Sequence, residues 1–199
     1  MTLQNDAIDW RSIEQLFINA RSAHDFTDEP VTDTVLHQLY EYAKLGPTGF
    51  NTQPGRYLFV RTEEVRQKLA ARCSSSNTQK VLSAPVTLIV AYDSHFHQFL
   101  PTQFPAFDAK GFFEKTPALI EPTALTNATL QAAYMIFAAR ALGLTAGPMS
   151  GFDNERVDTL FFPDGRWKSL LLINLGYADA SRLAPRGPRL EFAEVAQIL

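Results

Sequence analysis

The stretch that most constrains the fold is Pro85 to Tyr92 (PVTLIVAY), a nearly continuous apolar run rich in β-branched residues. A strand with one wet face would alternate polar and apolar side chains. This one does not, and its composition predicts a strand buried on both faces, in the middle of a sheet with a layer on each side. Lys168 to Tyr177 (KSLLLINLGY) reads as a second central strand. Arg56 to Arg61 (RYLFVR) and Leu144 to Gly147 are shorter strand candidates.

The covering layers are legible as helical periodicities. Ile8, Trp10, Ile13, Leu16, Phe17 and Ala20 predict a first helix with one buried face. Thr32 or Asp33 offers an N-cap for a second helix running to about Leu45, with Val35, Leu36, Leu39, Tyr40 and Ala43 inward and Gly46-Pro47 as its stop. Val65 to Arg72 and Asn154 to Phe161 have helical spacing, the first making a βα unit with the strand before it. Asn127 to Leu142 is apolar almost all round, the pattern of a central helix covered on every side. The sequon Asn127-Ala128-Thr129 is better explained by a helix start than by glycosylation. Between His95 and Thr123, four prolines and six phenylalanines (Phe96, Phe99, Phe104, Phe107, Phe112, Phe113) predict a mobile excursion with short helical turns. The tail from Ser181 begins basic and Pro-rich and finishes as an amphipathic segment. The expectation is one α+β domain spanning residues 1–199, a small central mixed sheet surrounded by helices.

Composition narrows the function. A formal net charge of -3 argues against a broad nucleic-acid-binding surface, so any bound phosphate must be held by a local cluster. The single cysteine, Cys73, excludes an internal disulfide and a Cys-rich zinc site. His24, His37, His95 and His97 lack convincing metal spacing, so no metal is expected. The amino terminus shows no signal-like pattern and no window is apolar enough to span a membrane, which predicts a cytoplasmic protein.

No nucleophile elbow, HExxH, Walker loop or GxGxxG is present. Instead, four polar segments at element boundaries suit a phosphorylated heterocycle. Arg21-Ser22-Ala23-His24 follows the first helix; Arg21 offers a donor fork matching a phosphate, although a cation complementing the helix dipole would explain it equally well. Gly46 to Pro54 (GPTGFNTQP) carries amides and hydroxyls that could read a ring edge, or is an ordinary helix-to-strand connector. Lys80 of Asn77-Thr78-Gln79-Lys80 could stabilise negative charge on a reduced ring, or be a solvated helix end. Gly147 to Asp153 (GPMSGFD) has small residues that let backbone N–H groups approach a planar ligand.

In this order, and closed by Pro185 to Arg189 (PRGPR), these segments resemble the motifs of the nitroreductase family of FMN enzymes. The opening string is Arg21, Ser22, Phe26 and Asp28 to Val31, and the third continues through NTQKVLSAPV (Asn77 to Val86). The resemblance implies a homodimer with FMN at the interface and NADH or NADPH as electron donor. Arg21, Ser22 and His24, joined by Arg186 and Arg189, would hold the phosphate and ribityl chain. Pro47, Thr48, Gly49, Asn51 and Gln53 would come from the partner subunit. Asn77 and Lys80 would face the pyrimidine side, and backbone at Pro148, Met149, Ser150 and Gly151 the opposite edge, with Lys80, Ser150 and Gly151 tuning hydride chemistry at N5. Ser150 stands where many members have Glu, and His24 where many have Lys or Arg. Those departures, with Pro148 to Asn154 and the tail, resemble the RutE-like branch assigned to malonic semialdehyde reduction. Arg56, Lys110 or Lys115 could then bind the acceptor's carboxylate. The other readings are reversed electron flow, a nitro or quinone reductase, and a non-catalytic FMN-binding module using Phe96 to Phe113 to dock a partner.

Overall fold

The computed structural model describes residues 6–199; Met1–Asn5, part of the segment read above for a leader, lie outside the described residues. Four strands, β1 (Gly55–Val60), β2 (Val86–Asp93), β3 (Thr145–Met149) and β4 (Trp167–Gly176), form a sheet of order β1-β2-β4-β3. Every pairing is antiparallel, so the sheet is not mixed as expected. All eight residues of β2 are buried, and the strand lies inside the sheet, as its composition requires.

The pleat explains burial on both faces. Val86, Leu88 and Val90 point into a core shared with Leu39 and Ala43 of α2 (Asp33–Ala43) and Ala132, Met135 and Ala139 of α7 (Ile120–Ala141). Ile89 and Ala91 point the other way, against Leu69 and Ala70 of α3 (Glu63–Ala70), Val81 of α4 (Ser75–Ser83) and Val157 of α8 (Asn154–Phe161). Each large aliphatic side chain sealed in these layers contributes about 1.5–3 kcal/mol of burial free energy. Thr32, not Asp33, caps α2, its hydroxyl accepting from the Val35 N–H, and the helix ends at Ala43.

Three expectations are corrected. The first helix is α-helical only over α1 (Trp10–Ile13) and widens into a π-turn at Glu14–Ile18. Its apolar face is exposed at Ile8, Trp10, Phe17 and Ile18, because an amphipathic stripe marks an apolar face without specifying what packs on it. The central helix α7 starts at Ile120, so Asn127 lies within it rather than at its start, and Leu130, Tyr134 and Phe137 form an exposed stripe. The excursion is a packed layer: α5 (Leu100–Gln103) and α6 (Ala109–Lys115) build a third core in which Phe96, Leu100 and Phe113 meet Ala124 and Ala128. Three of its four prolines, Pro101, Pro117 and Pro122, sit in the first turn of a helix, where the missing N–H would have no helical partner. In the tail, α9 (Phe192–Val195) is a single exposed turn. No described helix is long and apolar enough to cross a membrane.

Candidate functional site

Three of the four internal polar segments meet around β3. The Arg21–His24 segment lies so close to this strand that a Cβ on Gly147 would stand 2.7 Å from the Ala23 carbonyl oxygen. Ser83 at the end of α4 donates to the His24 carbonyl (2.9 Å) and to that of Lys80 (3.1 Å), tying the first segment to the third. Asn77, buried, joins the third to the fourth: Nδ2 donates to the Gly151 carbonyl (3.1 Å), while Oδ1 accepts from Lys80 Nζ (3.1 Å). Lys80 is therefore held in place, half-buried, rather than trailing in solvent. Its own carbonyl accepts from Asn174 of β4 (2.7 Å). Pro148 and Met149 belong to β3 itself, not to a turn; Pro is tolerated there because β3 is an edge strand. Ser22, His24 and Ser150 are exposed.

Gly151 has no room for a side chain, since a Cβ would fall 2.6 Å from Asn77 Nδ2 and 2.8 Å from Ser74 Oγ. Gly151→Ala is expected to expel the Asn77 amide, cost about 1–3 kcal/mol of stability in thermal unfolding, and release Lys80. Unchanged stability would show that the Asn77 contact is dispensable.

Arginines dominate the other end. Arg21 Nη1 donates to the carbonyls of Ile18 (2.8 Å) and Ala20 (2.9 Å). Arg186 Nη2 reaches the carbonyls of Phe17 (2.6 Å), Ile18 (2.8 Å) and Ala20 (3.0 Å), so both guanidiniums rest on the same helix end. Partial desolvation, then the charges of Arg21 and Arg189, hold the Arg186 pKa below that of a free arginine. Among the described residues, neither Arg21, Arg186 nor Arg189 has a carboxylate within ion-pair distance. Clustered cations leaning on carbonyl dipoles, with donors to spare, suit an anion.

The Gly46–Pro54 segment stands apart. Among the described residues, no hydrogen bond joins it to the other three. Its partners lie on α7, in the aromatic layer and at the adjoining ends of β1 and β2: the Gly49 N–H donates to Asn127 Oδ1 (2.7 Å), the adjoining Gly55 N–H to Gln131 Oε1 (2.7 Å), Asn51 and Gln53 to Gln103 (3.0 Å each), and the Asp93 N–H to the Pro54 carbonyl (2.9 Å). Phe50, Asn51 and Gln53 all have positive φ (52°, 51° and 40°), a costly conformation for side chains of this size. It is held by those amides and by the rings of Phe104, Phe107, Phe112 and Phe113 packed around Phe50. Pro47, Gly49 and Asn51 are exposed beside the apolar stripe of α7, and Gly46 lies flat on the Tyr134 ring.

Several of these partners escaped the sequence reading. Asn127 and Gln131 are polar residues four apart on an otherwise apolar helix, and that contrast was the available signal. Asp93 is buried between Arg56 (2.6 Å) and Arg166 (2.8 Å), which corrects the role considered for Arg56 as a carboxylate receptor. Burial pushes the Asp93 carboxyl up, but bonds from Arg166 and the His95 N–H, with the charges of Arg56 and Arg166, outweigh it and hold the pKa below the usual range. Lys110 pairs with Glu114, and Lys115 is exposed.

The Arg21–His24, Asn77–Lys80 and Gly147–Gly151 segments are thus held together on an α+β frame, with arginines clustered at the end of the first helix. The chain belongs to the nitroreductase family, whose pattern matches residues 19–177. A Rhodopseudomonas palustris (strain TIE-1) relative named "Putative NADH dehydrogenase/NAD(P)H nitroreductase" is 50% identical over 187 residues, covering 94% of this chain and 95% of its own. The structure of a Bacillus subtilis protein assigned as a nitroreductase superposes with a TM-score of 0.87 at 25% identity, covering 96% of this chain and all of the other. An Exiguobacterium sibiricum 255-15 protein, assigned as a nitroreductase and crystallised in complex with FMN, superposes with a TM-score of 0.77 at 19% identity over the full length of both chains.

Proposed function

We propose that the chain is an FMN-dependent NAD(P)H oxidoreductase, working as a homodimer on a small electron-poor acceptor. The observation that carries the reading is that Arg21, gathered with Arg186 and Arg189 and without acid partners, opens the segment that Gly147 and Ser83 hold next to Asn77, Lys80 and Gly151. FMN, when bound, would take a hydride from NAD(P)H and return it to the acceptor in a ping-pong cycle. The residues supply the rest. Guanidiniums at one end match a phosphate in charge and geometry. Lys80, oriented by Asn77, places a cation at the other end, where negative charge on a reduced ring would develop. Ser150 and Gly151 bring main chain rather than a bulky side chain to the remaining edge. The name borne by the Rhodopseudomonas relative and the FMN of the Exiguobacterium structure agree with this assignment.

The dimer reading has its own support. Leu130, Tyr134 and Phe137, at i, i+4 and i+7 on α7, are exposed alongside Phe17, whose ring lies 5.2 Å from that of Phe137. This stripe adjoins the stranded Gly46–Pro54 segment, so a second chain packed on α7 would bring that segment to the partner's site. Introducing Leu130→Asp and Phe137→Asp together is expected to give a monomer by sedimentation and to lower FMN affinity at least tenfold. A monomer that binds FMN undiminished would refute the shared site.

For the acceptor, Ser150 and His24 in place of charged residues favour a small carbonyl compound such as malonic semialdehyde, with quinones and nitro compounds as the alternative. Anaerobic reduction of the flavoprotein by NADH and NADPH, then reoxidation by a panel of semialdehydes, quinones, nitro compounds and enones, tests the whole reading. A protein that binds no FMN, or holds FMN that neither nicotinamide reduces, would overturn it.

A further inference from the structure

Arg140, the last basic residue of α7, lies outside every segment discussed as a cofactor motif, yet its side chain is half-buried against the first helix. Nη1 donates to the Leu16 carbonyl (2.8 Å), and its guanidinium sits 5.5 Å over the Phe137 ring. The bond is reciprocated: Gln15 Nε2 donates to the Arg140 carbonyl (2.6 Å) and, more weakly, to that of Ala141 (3.4 Å). Two side chains thus clasp the ends of two helices across more than a hundred residues of sequence. What they clasp is the π-turn, whose wide closure is marked by the Asn19 N–H donating to the Glu14 carbonyl (2.8 Å). π-turns recur at functional sites. Here the carbonyls of Phe17, Ile18 and Ala20 are the shelf on which Arg21 and Arg186 rest. Beside the shelf, Arg21 and Arg140 wall a cavity of about 190 Å³ that Gln15, Asn19 and Thr145 also line. Among the described residues, Arg140 has no carboxylate partner either.

We infer that Arg140 and Gln15 form a positioning clamp for phosphate recognition, fixing the Leu16–Ala20 turn so that Arg21 and Arg186 present their free donors to a phosphate monoester. The inference rests on the FMN reading above. The chemistry separates it from a general packing role, because riboflavin offers the same ring and ribityl chain without the phosphate. A clamp acting through the phosphate must change the preference between the two ligands, whereas a packing role would weaken both alike.

The test is titration of flavin-stripped full-length protein with FMN and with riboflavin, followed by flavin fluorescence, for the wild type and for Arg140→Gln, Arg140→Lys and Gln15→Ala. Arg140→Gln is expected to reduce the FMN-over-riboflavin preference about tenfold, the scale of one charge-assisted hydrogen bond. Arg140→Lys, whose ammonium can still reach the Leu16 carbonyl, should restore most of it. Gln15→Ala should lower the preference about threefold without altering any charge, and it carries the test if Arg140→Gln fails to fold. An unchanged preference in the folded variants, or a parallel loss for both ligands, would overturn the clamp. A wild-type protein that binds neither flavin would instead overturn the FMN reading itself, and the clamp with it.

Discussion

Replacing Arg21 and Arg186 together by alanine is expected to give a folded protein that purifies without colour. Arg186 is exposed and Arg21 half-buried, and both are bonded to main-chain carbonyls at the end of the first helix and to no acid among the described residues, so the fold loses little when they go. Exposed carbonyls at a helix end can be taken over by water. A bound phosphate would lose two charge-assisted donors, each of about 1.5–3 kcal/mol. FMN affinity should therefore fall by about two orders of magnitude or more, measured by equilibrium dialysis, while the melting temperature without cofactor moves by only a few degrees. Riboflavin binding should hardly change. A double variant that retains FMN with wild-type affinity would show that the phosphate, if bound, sits elsewhere.

The second large effect lies on stability. Asp93 closes β2 with a fully buried carboxylate that takes one bond from Arg56 (2.6 Å) and two from Arg166 (2.8 and 2.9 Å), while its Oδ1 also accepts the His95 N–H (2.8 Å). Removing one member of such a network leaves the others uncompensated, at about 3–5 kcal/mol. Arg56 and Arg166 retain 19% and 32% side-chain exposure, so water can reach them and the lower end of that range applies. Asp93→Ala should unfold about 10 °C below the wild type, at a few degrees per kcal/mol for a chain of this size. Arg56 also donates to the Gln53 and Gly55 carbonyls (3.0 and 2.9 Å), so the variant should loosen the strained Gly46–Pro54 segment as well.

The same network sets a pH dependence. Because the folded Asp93 carboxyl titrates below its ordinary value of 3.8, its stabilisation is complete above that pH and is lost as pH falls through the depressed folded value. The stability gap between wild type and Asp93→Ala should therefore be flat at neutral pH and close below about pH 4. A gap that widens on acidification would contradict the ion-pair account.

Family, strands and several helices were open to sequence reading because they are written in short-range spacing, whereas α4 was not delimited and the limits of the first and central helices were misplaced. Pro85 to Tyr92 read as a strand buried on both faces and is one, over Val86–Asp93, and α8 was bounded to the residue at both ends. The five segments that resembled the nitroreductase motifs lie in order along a chain that belongs to that family. What spacing cannot encode is the partner of a polar group. Asn127 looked like a helix start because a polar residue before an apolar run usually is one, yet its bond to Gly49 spans 78 residues. The excursion looked mobile because prolines break periodicity, and nothing local announces that Phe96 and Phe113 will fill a third core.

By itself, then, the sequence determined the layered α+β plan and the segments rich in cations, amides and small residues, because periodicity and residue chemistry are local properties. The tertiary structure alone decided that Asn77, which orients Lys80, is anchored on Gly151, that Arg21 and Arg186 share one shelf of carbonyls, that Asp93 consumes Arg56, and that the Gly46–Pro54 segment stands apart beside an uncovered helix. Each of those depends on which distant groups the closed chain brings within about 3 Å, the range over which a hydrogen bond acts.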